Sequence, residues 1–410
     1  MGRASVRAAI LTLAAVTSVA AAAFAQTAPS GAGAYSPSLH WHDGLRFDSA
    51  GGRLQLQTVS LVQLDTHTFG TPRPSGTDTV LLRRLRTTIS GRFGSRVEFR
   101  FLPEFAQARR VYDAYLDVRL TRALHLRVGK DRTPFGYEMS LGAPYLAFPE
   151  RSLVTGLAPN RDVGVLVMGE AGRVSYAAGL FNESPDGTNG PVSLHTGGHG
   201  DWAGRVVVRP FGARTRGLGG LKVQLAGTHG TPDAAPPVYR TAGRATYFRY
   251  ASDVTHAGWR GRLTPAASWF QGRVGAYAEA VRSSTGLQQD GRTARTAGRA
   301  WEATGLWVVT GETASERDVT PRHPVGAGGW GALQVQARHA EISLGEATTL
   351  GPLMAPGSSR RARATSLGVL WLPTHLVRVD VAWDHTAFEP GPDAARPTEQ
   401  AFTVRYHVTF

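Results

Sequence analysis

The sequence contains no cysteine and almost no lysine: of its 45 lysine and arginine residues, only Lys130 and Lys222 are lysines. Without cysteine the chain has no disulfide framework. Beyond the N-terminal region, no stretch approaches the roughly 20 consecutive apolar residues that a membrane-crossing helix requires, which excludes a helical membrane protein. No linker or low-complexity tract divides the remainder. Clusters of Pro, Gly and Asp punctuate it throughout, and this predicts a single β-rich domain.

Residues 1–25 have the features of a cleavable export signal. Arg3 and Arg7 give a positively charged start, an apolar alanine-rich run follows, and Ala23-Phe24-Ala25 supplies small residues at the two positions that a signal peptidase reads. We expect cleavage before Gln26, a short N-terminal extension over residues 26–50 and one β-domain over residues 51–410. The alternatives, a buried N-terminal helix or a membrane anchor, fit a run that is so rich in alanine and has no aromatic belt less well.

Between the turn clusters, apolar and polar residues alternate with a period of two, for example in Arg96–Phe101, Tyr112–Leu120 and Val377–Trp383. Such alternation indicates strands with one apolar and one polar face. The polar faces carry more charge than the outer face of a soluble sandwich needs, which favours a barrel with lipid outside and water inside. Backbone groups in lipid must be paired, so the sheet must close on itself. At about 24 residues per strand and connection, the chain predicts an all-β, closed antiparallel transmembrane barrel of about 16 strands.

The final segment is the most informative, because it alternates over its whole length and ends on an aromatic residue. Phe402, Val404, Tyr406, Val408 and Phe410 share one face. An aromatic-rich last strand with a terminal Phe is the signal that the outer-membrane barrel-assembly machinery recognises, so we expect that machinery and outer-membrane lipid among the partners. The alternative is an edge strand of a secreted sandwich.

The longest connection, Asp131 to Asp162, contains apolar residues that water would solvate poorly on an open loop. Loops of this length without regular structure are usually functional. We therefore predict that it folds inward against the barrel wall and narrows the pore. The ionisable side chains expected to line the pore there are Glu150, Arg151, Arg161 and Asp162.

The net charge is +14, and it becomes +12 when Arg3 and Arg7 leave with the signal. Charged residues on a lipid-facing wall are destabilising, so most of this charge belongs in the lumen, the loops or the turns. A channel lined by cations concentrates anions, and guanidinium groups match phosphate oxygens bidentately.

The strand that contains Leu85 places Arg84 and Arg86 on the lumen face, with Arg83 on the other face near a rim. Arg100, Arg119 and Arg127 project from the lumen faces of nearby strands, and Lys130 follows them. These cations are candidate anion-binding residues. The alternative is that they pair with acids such as Glu98, Asp113 and Asp117 and only stiffen the wall.

The sequence also resembles the phosphate-selective porin O/P family over nearly the whole mature chain. The segments that carry the resemblance include Gly44-Leu45-Arg46-Phe47, Arg83-Arg84-Leu85-Arg86, Tyr112-Asp113-Ala114-Tyr115, Leu126-Arg127-Val128-Gly129-Lys130, Leu157-Ala158-Pro159-Asn160-Arg161-Asp162, Val309-Thr310-Gly311-Glu312 and Leu367-Gly368-Val369-Leu370-Trp371. The resemblance implies a homotrimer of 16-stranded barrels with a basic pore and one inward loop. The inward loop has no lysine after Lys130, and this leaves phosphate, pyrophosphate, polyphosphate and organic anions open as solutes.

The expected function is therefore passive diffusion of small anions across an outer membrane, with no cofactor, no nucleic acid and no catalysis. A general porin or a sugar-selective porin is an alternative within the class, since an aromatic such as Tyr115 could stack on sugar rings. An outer-membrane enzyme or a soluble secreted binding module is a more distant one. His195 and His199 lie among glycines, which favours loop histidines over a metal pair.

Overall fold

The structure is a computed structural model that describes residues 37–41, 43–70, 77–106, 110–183, 185–192, 200–212, 214–233, 235–317, 319–346, 353–389 and 396–410. The expected signal peptide, its cleavage point and the pair His195 and His199 lie outside these residues. None of the described residues forms a helix long and apolar enough to cross a membrane.

An eighteen-stranded antiparallel sheet forms the molecule, and its first two strands are a small hairpin, so sixteen strands remain to form the wall. The hairpin strands are β1 (Ser38–Trp41) and β2 (Leu45–Asp48). The wall strands are β3 (Leu54–Phe69), β4 (Thr79–Phe93), β5 (Val97–Glu104), β6 (Arg110–Thr121), β7 (Leu124–Arg132), β8 (Arg161–Ala171), β9 (Val174–Phe181), β10 (Asp201–Val208), β11 (Lys222–Gly230), β14 (Thr255–Gln271), β15 (Val274–Gln289), β16 (Arg292–Val308), β17 (Ala332–Leu344), β18 (Arg361–Leu372), β19 (Val377–Phe388) and β20 (Glu399–Thr409). Two short strands, β12 (Tyr239–Arg240) and β13 (Thr246–Phe248), pair separately.

Each wall strand pairs with its neighbour in the chain, and β20 pairs with β3 to close the barrel. Closure leaves no unpaired edge along the wall, which is what a strand in lipid requires. The predicted closed barrel of about 16 strands is confirmed.

The hairpin of β1 and β2 continues the wall below the end of β20. β2 pairs with residues 55–58 of β3, whereas β20 pairs with residues 61–69, and the backbones of Phe410 and Ser60 join the two regions. Gly44 makes the turn possible, because its φ is +119° and a Cβ there would lie 2.3 Å from the carbonyl oxygen of Thr58. The second half of the expected extension is thus built onto the sheet.

Burial on the wall is inverted relative to a soluble protein, as β20 shows. Thr403 and Arg405 on its inner face are each 1% exposed, whereas Phe402 and Tyr406 on the outer face are 44% and 53% exposed. Exposed aromatic and aliphatic side chains on one face and buried polar ones on the other are expected when the solvent outside is lipid. The period-two pattern of the sequence therefore corresponds to an apolar outside and a polar inside.

The two ends of the barrel differ in their connections. At the end where β3 begins and β20 stops, called here the lower end, five connections are short turns: 94–96, 122–123, 172–173, 272–273 and 373–376. Two connections there are longer, 209–221 and 309–331. At the upper end most connections are longer, including 231–254, which carries β12 and β13.

The longest connection, residues 133–160 and called here the inward loop, lies inside the barrel. Three short 3-10 helices shape it: Glu138–Ser140, Ala143–Tyr145 and Leu153–Leu157. Phe135 and Val154 are fully buried. Their cluster includes side chains of the 231–254 connection and inward-facing alanines of β16, β17 and β18. Small residues on those strands leave room for the loop, so this sector of the barrel interior is apolar although the interior as a whole is polar.

Candidate ion pathway through the barrel

Glu150 fixes the far side of the inward loop to the wall through an ion-pair network. Arg83 donates two hydrogen bonds to its carboxylate at 2.6 and 3.0 Å, and Arg405 donates a third at 2.8 Å. Arg405 in turn holds Asp65 of β3 bidentately at 2.7 and 2.6 Å. Burial alone would raise the pKa of Glu150, but the guanidinium groups of Arg83, Arg405 and Arg84 hold it well below its ordinary value. Glu150 is therefore an ionised anchor of the loop.

A β-bulge brings Arg83 and Arg84 to the lumen side together. The pairing of β3 and β4 shifts register between Gln63 and Leu64, so Arg83 has no direct partner. An extra residue on one strand breaks the alternation locally. Arg83, expected on the outer face, reaches Glu150 instead. The sequence pattern carried no sign of this bulge.

Arg84 and Arg86 lie on the inner face, and both are buried against protein partners. Arg84 donates a hydrogen bond to Gln63 at 2.5 Å, and Arg86 pairs with Glu104 at 2.7 Å. The guanidinium of Arg86 also lies 4.2 Å from the ring centre of Tyr112. Their exposed fractions are 5% and 7%. These contacts leave both side chains little free surface for a passing ion.

Most other candidate cations also have partners in the wall. Arg100 and Arg161 both pair with Asp113, at 3.1 and 2.6 Å. Arg127 pairs with Asp117 at 2.9 Å. It also lies over the ring of Tyr115, so that the aromatic face considered for sugar stacking is covered by an arginine.

The remaining candidates bind the backbone or are enclosed by it. Lys130 donates to the carbonyl of Gly190 at 2.5 Å, and Arg151 donates to the carbonyl of Leu141 at 2.7 Å. Asp162 is fully buried and accepts backbone N–H groups of Val163 and Glu183. These side chains form hydrogen bonds with backbone C=O and N–H groups that would otherwise need water as a partner.

Arginines of the facing wall hold the inward loop in the same way. Arg378 donates to the carbonyls of Pro144 and Leu146 at 2.8 and 2.5 Å, and Arg338 donates to the carbonyl of Glu150 at 3.0 Å. The loop is thus held from several strands, and several arginines of the barrel interior bind backbone carbonyls of the loop.

A basic chamber lies between the inward loop and the lower end of the barrel. It is a cavity of about 810 Å³. Its ceiling includes Ser140 and Leu141 of the loop, and its ionisable lining is Arg119, Arg122, His125, Glu170, Arg205, Arg209, Lys222 and Glu316. Five permanent cations therefore face two carboxylates. Of the candidates predicted from sequence, Arg119 alone lies in this chamber.

Several chamber cations form no ion pair with the part of the chain that the structure describes. Arg119 pairs with Glu98 at 3.2 Å and Lys222 pairs with Glu316, but Arg122, Arg205 and Arg209 form no ion pair with a described residue. The guanidinium of Arg205 donates to the hydroxyl of Ser140 at 2.6 Å, directly beneath the loop. This is where uncompensated positive charge meets open space inside the barrel.

The alternation around Arg205 could have identified two of these residues. In β10, Val206 and Val208 point outward and Arg205 points inward, which predicts that Arg209, just beyond the strand, follows on the same side. Neither Arg205 nor Arg209 is among the candidates predicted from the sequence. Lys222 carries the same signal, because Val223 and Leu225 of β11 point outward. Arg122 carries none, because it lies in a turn.

The connection 309–331 enters the chamber from the lower end. Glu316 accepts a hydrogen bond from Ser268 at 2.7 Å and another from the hydroxyl of Tyr137 at 3.3 Å. Val319 packs in a cluster with Val308 and Leu372 of the wall. A lower-end connection and the inward loop therefore touch inside the barrel.

Comparisons with solved structures place this architecture among outer-membrane porins. The anion-selective porin from Comamonas acidovorans superposes with a TM-score of 0.52 at 13% identity, covering 87% of this chain and 100% of that one. The trimer form of OmpT from Vibrio cholerae gives 0.54 at 12%, with 87% and 99% coverage. Salmonella typhi OmpF in complex with daunomycin gives 0.53 at 10%, with 91% and 100% coverage. At these identities the likeness establishes the fold alone.

No protein with a curated description matches the sequence. The family model for phosphate-selective porin O and P matches residues 62–387, which is most of the chain and nearly all of the barrel. With the closed sixteen-stranded wall and its lipid-facing exterior, this match indicates a channel rather than an enzyme. The chain is an integral outer-membrane protein that belongs to the phosphate-selective porin O and P family.

Proposed function

We propose that this porin conducts small anions passively across the outer membrane and that the basic chamber is its selectivity region. The observation that carries the proposal is the excess of cations around the 810 Å³ chamber, where Arg122, Arg205 and Arg209 have no acidic partner among the described residues. A cavity lined by one sign of charge within low-dielectric walls raises the local counter-ion concentration by about 10- to 1000-fold.

Passage requires contacts that are strong enough to attract an anion and weak enough to release it. Among the described residues, the guanidinium of Arg205 donates one hydrogen bond, to Ser140, which leaves other N–H groups for an incoming oxygen. The guanidinium of Arg209 donates one long hydrogen bond to a described side chain, 3.4 Å to Ser175. An anion can therefore move between arginines by exchanging single contacts, with no covalent step and no cofactor.

The inward loop and Glu316 of the connection 309–331 supply the narrowing in this proposal. The loop is anchored by Glu150, Arg378 and Arg338, and it touches the connection through Tyr137. Anchoring from several strands keeps the opening constant, so ions cross a rigid passage.

The solute is proposed as a small oxyanion of the phosphate, pyrophosphate or polyphosphate type. Guanidinium presents paired donors to such groups. The family is described as phosphate-selective, and the Comamonas acidovorans neighbour is described as anion-selective. By analogy with the trimer form of the Vibrio cholerae neighbour, the working assembly is proposed to be a homotrimer.

Single-channel recording in a planar bilayer under a KCl gradient tests the function. The expected result is an anion-selective reversal potential and conductance in groups of three steps, with block when phosphate or pyrophosphate is added. A cation-selective reversal potential would contradict the proposal, and so would the absence of conductance by a barrel that is shown to be folded. Block by pyrophosphate but not by phosphate would assign the larger anion.

Deletion of Phe410 is expected to reduce the assembled fraction several-fold. The residue forms two backbone hydrogen bonds with Ser60, at 2.5 and 3.0 Å, where the barrel closes. It also supplies the terminal aromatic that we propose the assembly machinery binds. The measurement is the heat-modifiable folded band in outer-membrane fractions. Phe410→Tyr, which keeps backbone and ring, is the matched control, and wild-type assembly of the deletion would contradict the proposed role.

A further inference from the structure

A second cationic surface lies on the outside of the barrel, at the middle of the long strands β15 and β16 and level with the upper ends of β17 and β18. It is a groove of about 550 Å³, called here the outer arginine groove, and Arg282, Arg299, Arg361 and Arg363 line it together with Trp301. These residues point away from the lumen, so the groove is separate from the basic chamber.

Strand register places the arginines in adjoining rows. Arg282 on β15 is directly opposite Arg299 on β16, Arg299 is opposite Ser343 on β17, and Ser343 is opposite Arg361 on β18. Two residues further down these strands, Arg363 is opposite Glu341. The side chains on one face of a sheet stand close enough to act on one ligand.

The rows lie at the upper limit of the lipid-facing wall. Below Arg299 the outward residues of β16 run through Trp301 to Trp307, and both tryptophans are nearly half exposed. Eight residues of a tilted strand cover roughly 20 Å along the membrane normal, close to the height of the apolar band. The arginines therefore lie at the level of lipid headgroups in the outer leaflet, since the end with longer connections faces outward.

Acidic side chains of the described residues pair with only two of these four arginines. Arg363 pairs with Glu341 at 3.4 Å and Arg361 pairs with Glu389 at 3.5 Å. Arg282 and Arg299 form no ion pair with any described residue. Like charges directly opposite on neighbouring strands are destabilising, so an anion bound between them stabilises the pair.

The groove belongs to one sector of the wall. Near the upper ends of other strands the outward residues are apolar: Leu82 on β4, Leu180 on β9, Trp202 on β10 and Phe402 on β20. A position at the upper end of the wall does not by itself require arginine, because these four strands carry apolar residues there.

We propose that the outer arginine groove binds the phosphate of a phosphorylated lipid headgroup in the outer leaflet. Arg282 and Arg299 approach the phosphate from adjacent strands, and each guanidinium can form two charge-assisted hydrogen bonds. Trp301 and the exposed Leu263 cover the apolar part of the same lipid. The occupant is a membrane lipid and not the transported anion, because the site opens to the bilayer.

Native mass spectrometry of the detergent-purified porin with added diphosphorylated lipid A tests this site. The wild type is expected to retain lipid A and to retain the dephosphorylated lipid much less. Arg282→Gln with Arg299→Gln should weaken retention about tenfold for each arginine removed. Arg205→Gln with Arg209→Gln is the matched control, since it removes two inward arginines and should leave retention unchanged.

Three results would overturn the proposal: equal retention by the outer double variant, equal retention of the dephosphorylated lipid, or displacement of lipid A by millimolar inorganic phosphate. A lower oligomeric state of the outer variant with unchanged lipid retention would identify an interface between copies instead. Folding is checked by heat-modifiable mobility, and the single variant Arg282→Gln serves if the double variant fails to fold. Ion selectivity of the outer variant should equal that of the wild type, so this test stands apart from that of the channel.

Discussion

Arg405→Ala is expected to lower the free energy of unfolding by about 3–5 kcal/mol, the range for breaking a buried ion pair by removing one partner. Arg405 is 1% exposed and joins three elements: Asp65 of β3, Glu150 of the inward loop and its own strand β20. Removal leaves the fully buried Asp65 carboxylate without its bidentate partner. It also removes one of the side chains that anchor Glu150.

The same substitution should also change the channel. With Arg405 gone, the inward loop keeps Arg83 as the bidentate partner of Glu150 but loses the connection to β3 and β20. We expect a noisier open state from a less firmly held loop. Urea unfolding followed by tryptophan fluorescence measures the stability, and single-channel recording measures the noise.

Two variants serve as controls for Arg405. Asp65→Asn combined with Arg405→Gln removes both charges and should recover a large part of the lost stability, because no buried carboxylate of β3 is then unpaired. Arg46→Ala removes a partly exposed arginine 3.5 Å from Asp48 and should change stability by only about 0–1 kcal/mol. Equal losses for Arg46→Ala and Arg405→Ala would show that the buried network does not hold the fold.

Arg205→Gln with Arg209→Gln is expected to bring the anion-to-cation permeability ratio down about tenfold, towards unity. Both arginines line the basic chamber and neither forms an ion pair with a described residue, so their charge acts on passing ions. Glutamine keeps much of the side-chain length and hydrogen-bonding capacity. The reversal potential under a KCl gradient is the measurement.

Comparison with two other double variants locates the selectivity. Arg282→Gln with Arg299→Gln removes the same charge from the lipid side and should leave the reversal potential unchanged. Arg84→Gln with Arg86→Gln, the pair that the sequence pattern favours as pore-lining, should mainly lower stability because it unpairs Glu104. A large selectivity change in that variant with none in Arg205 and Arg209 would return the selectivity region to β4.

The sequence alone does not predict which cations lack an acidic partner in the folded protein. Arg405 and Asp65 are 340 positions apart and meet because β20 closes on β3. Arg161 follows the inward loop at the start of β8, and its partner Asp113 lies on β6. Sequence alternation correctly assigned Arg84 and Arg86 to the inner face, but it contained no information about the acids and carbonyls that would surround them.

The sequence by itself determined the closed barrel, its lipid-facing outside and its positive balance of charge. These follow from local rules and from composition. The strand period is two, strands in lipid must be paired, and the formal net charge is the sum over the residues of the chain. The tertiary structure decided the bulge at Arg83, the partners of the arginines and the place of the basic chamber. Those depend on contacts between distant strands, and an arginine attracts a passing anion only where folding has left it without a carboxylate.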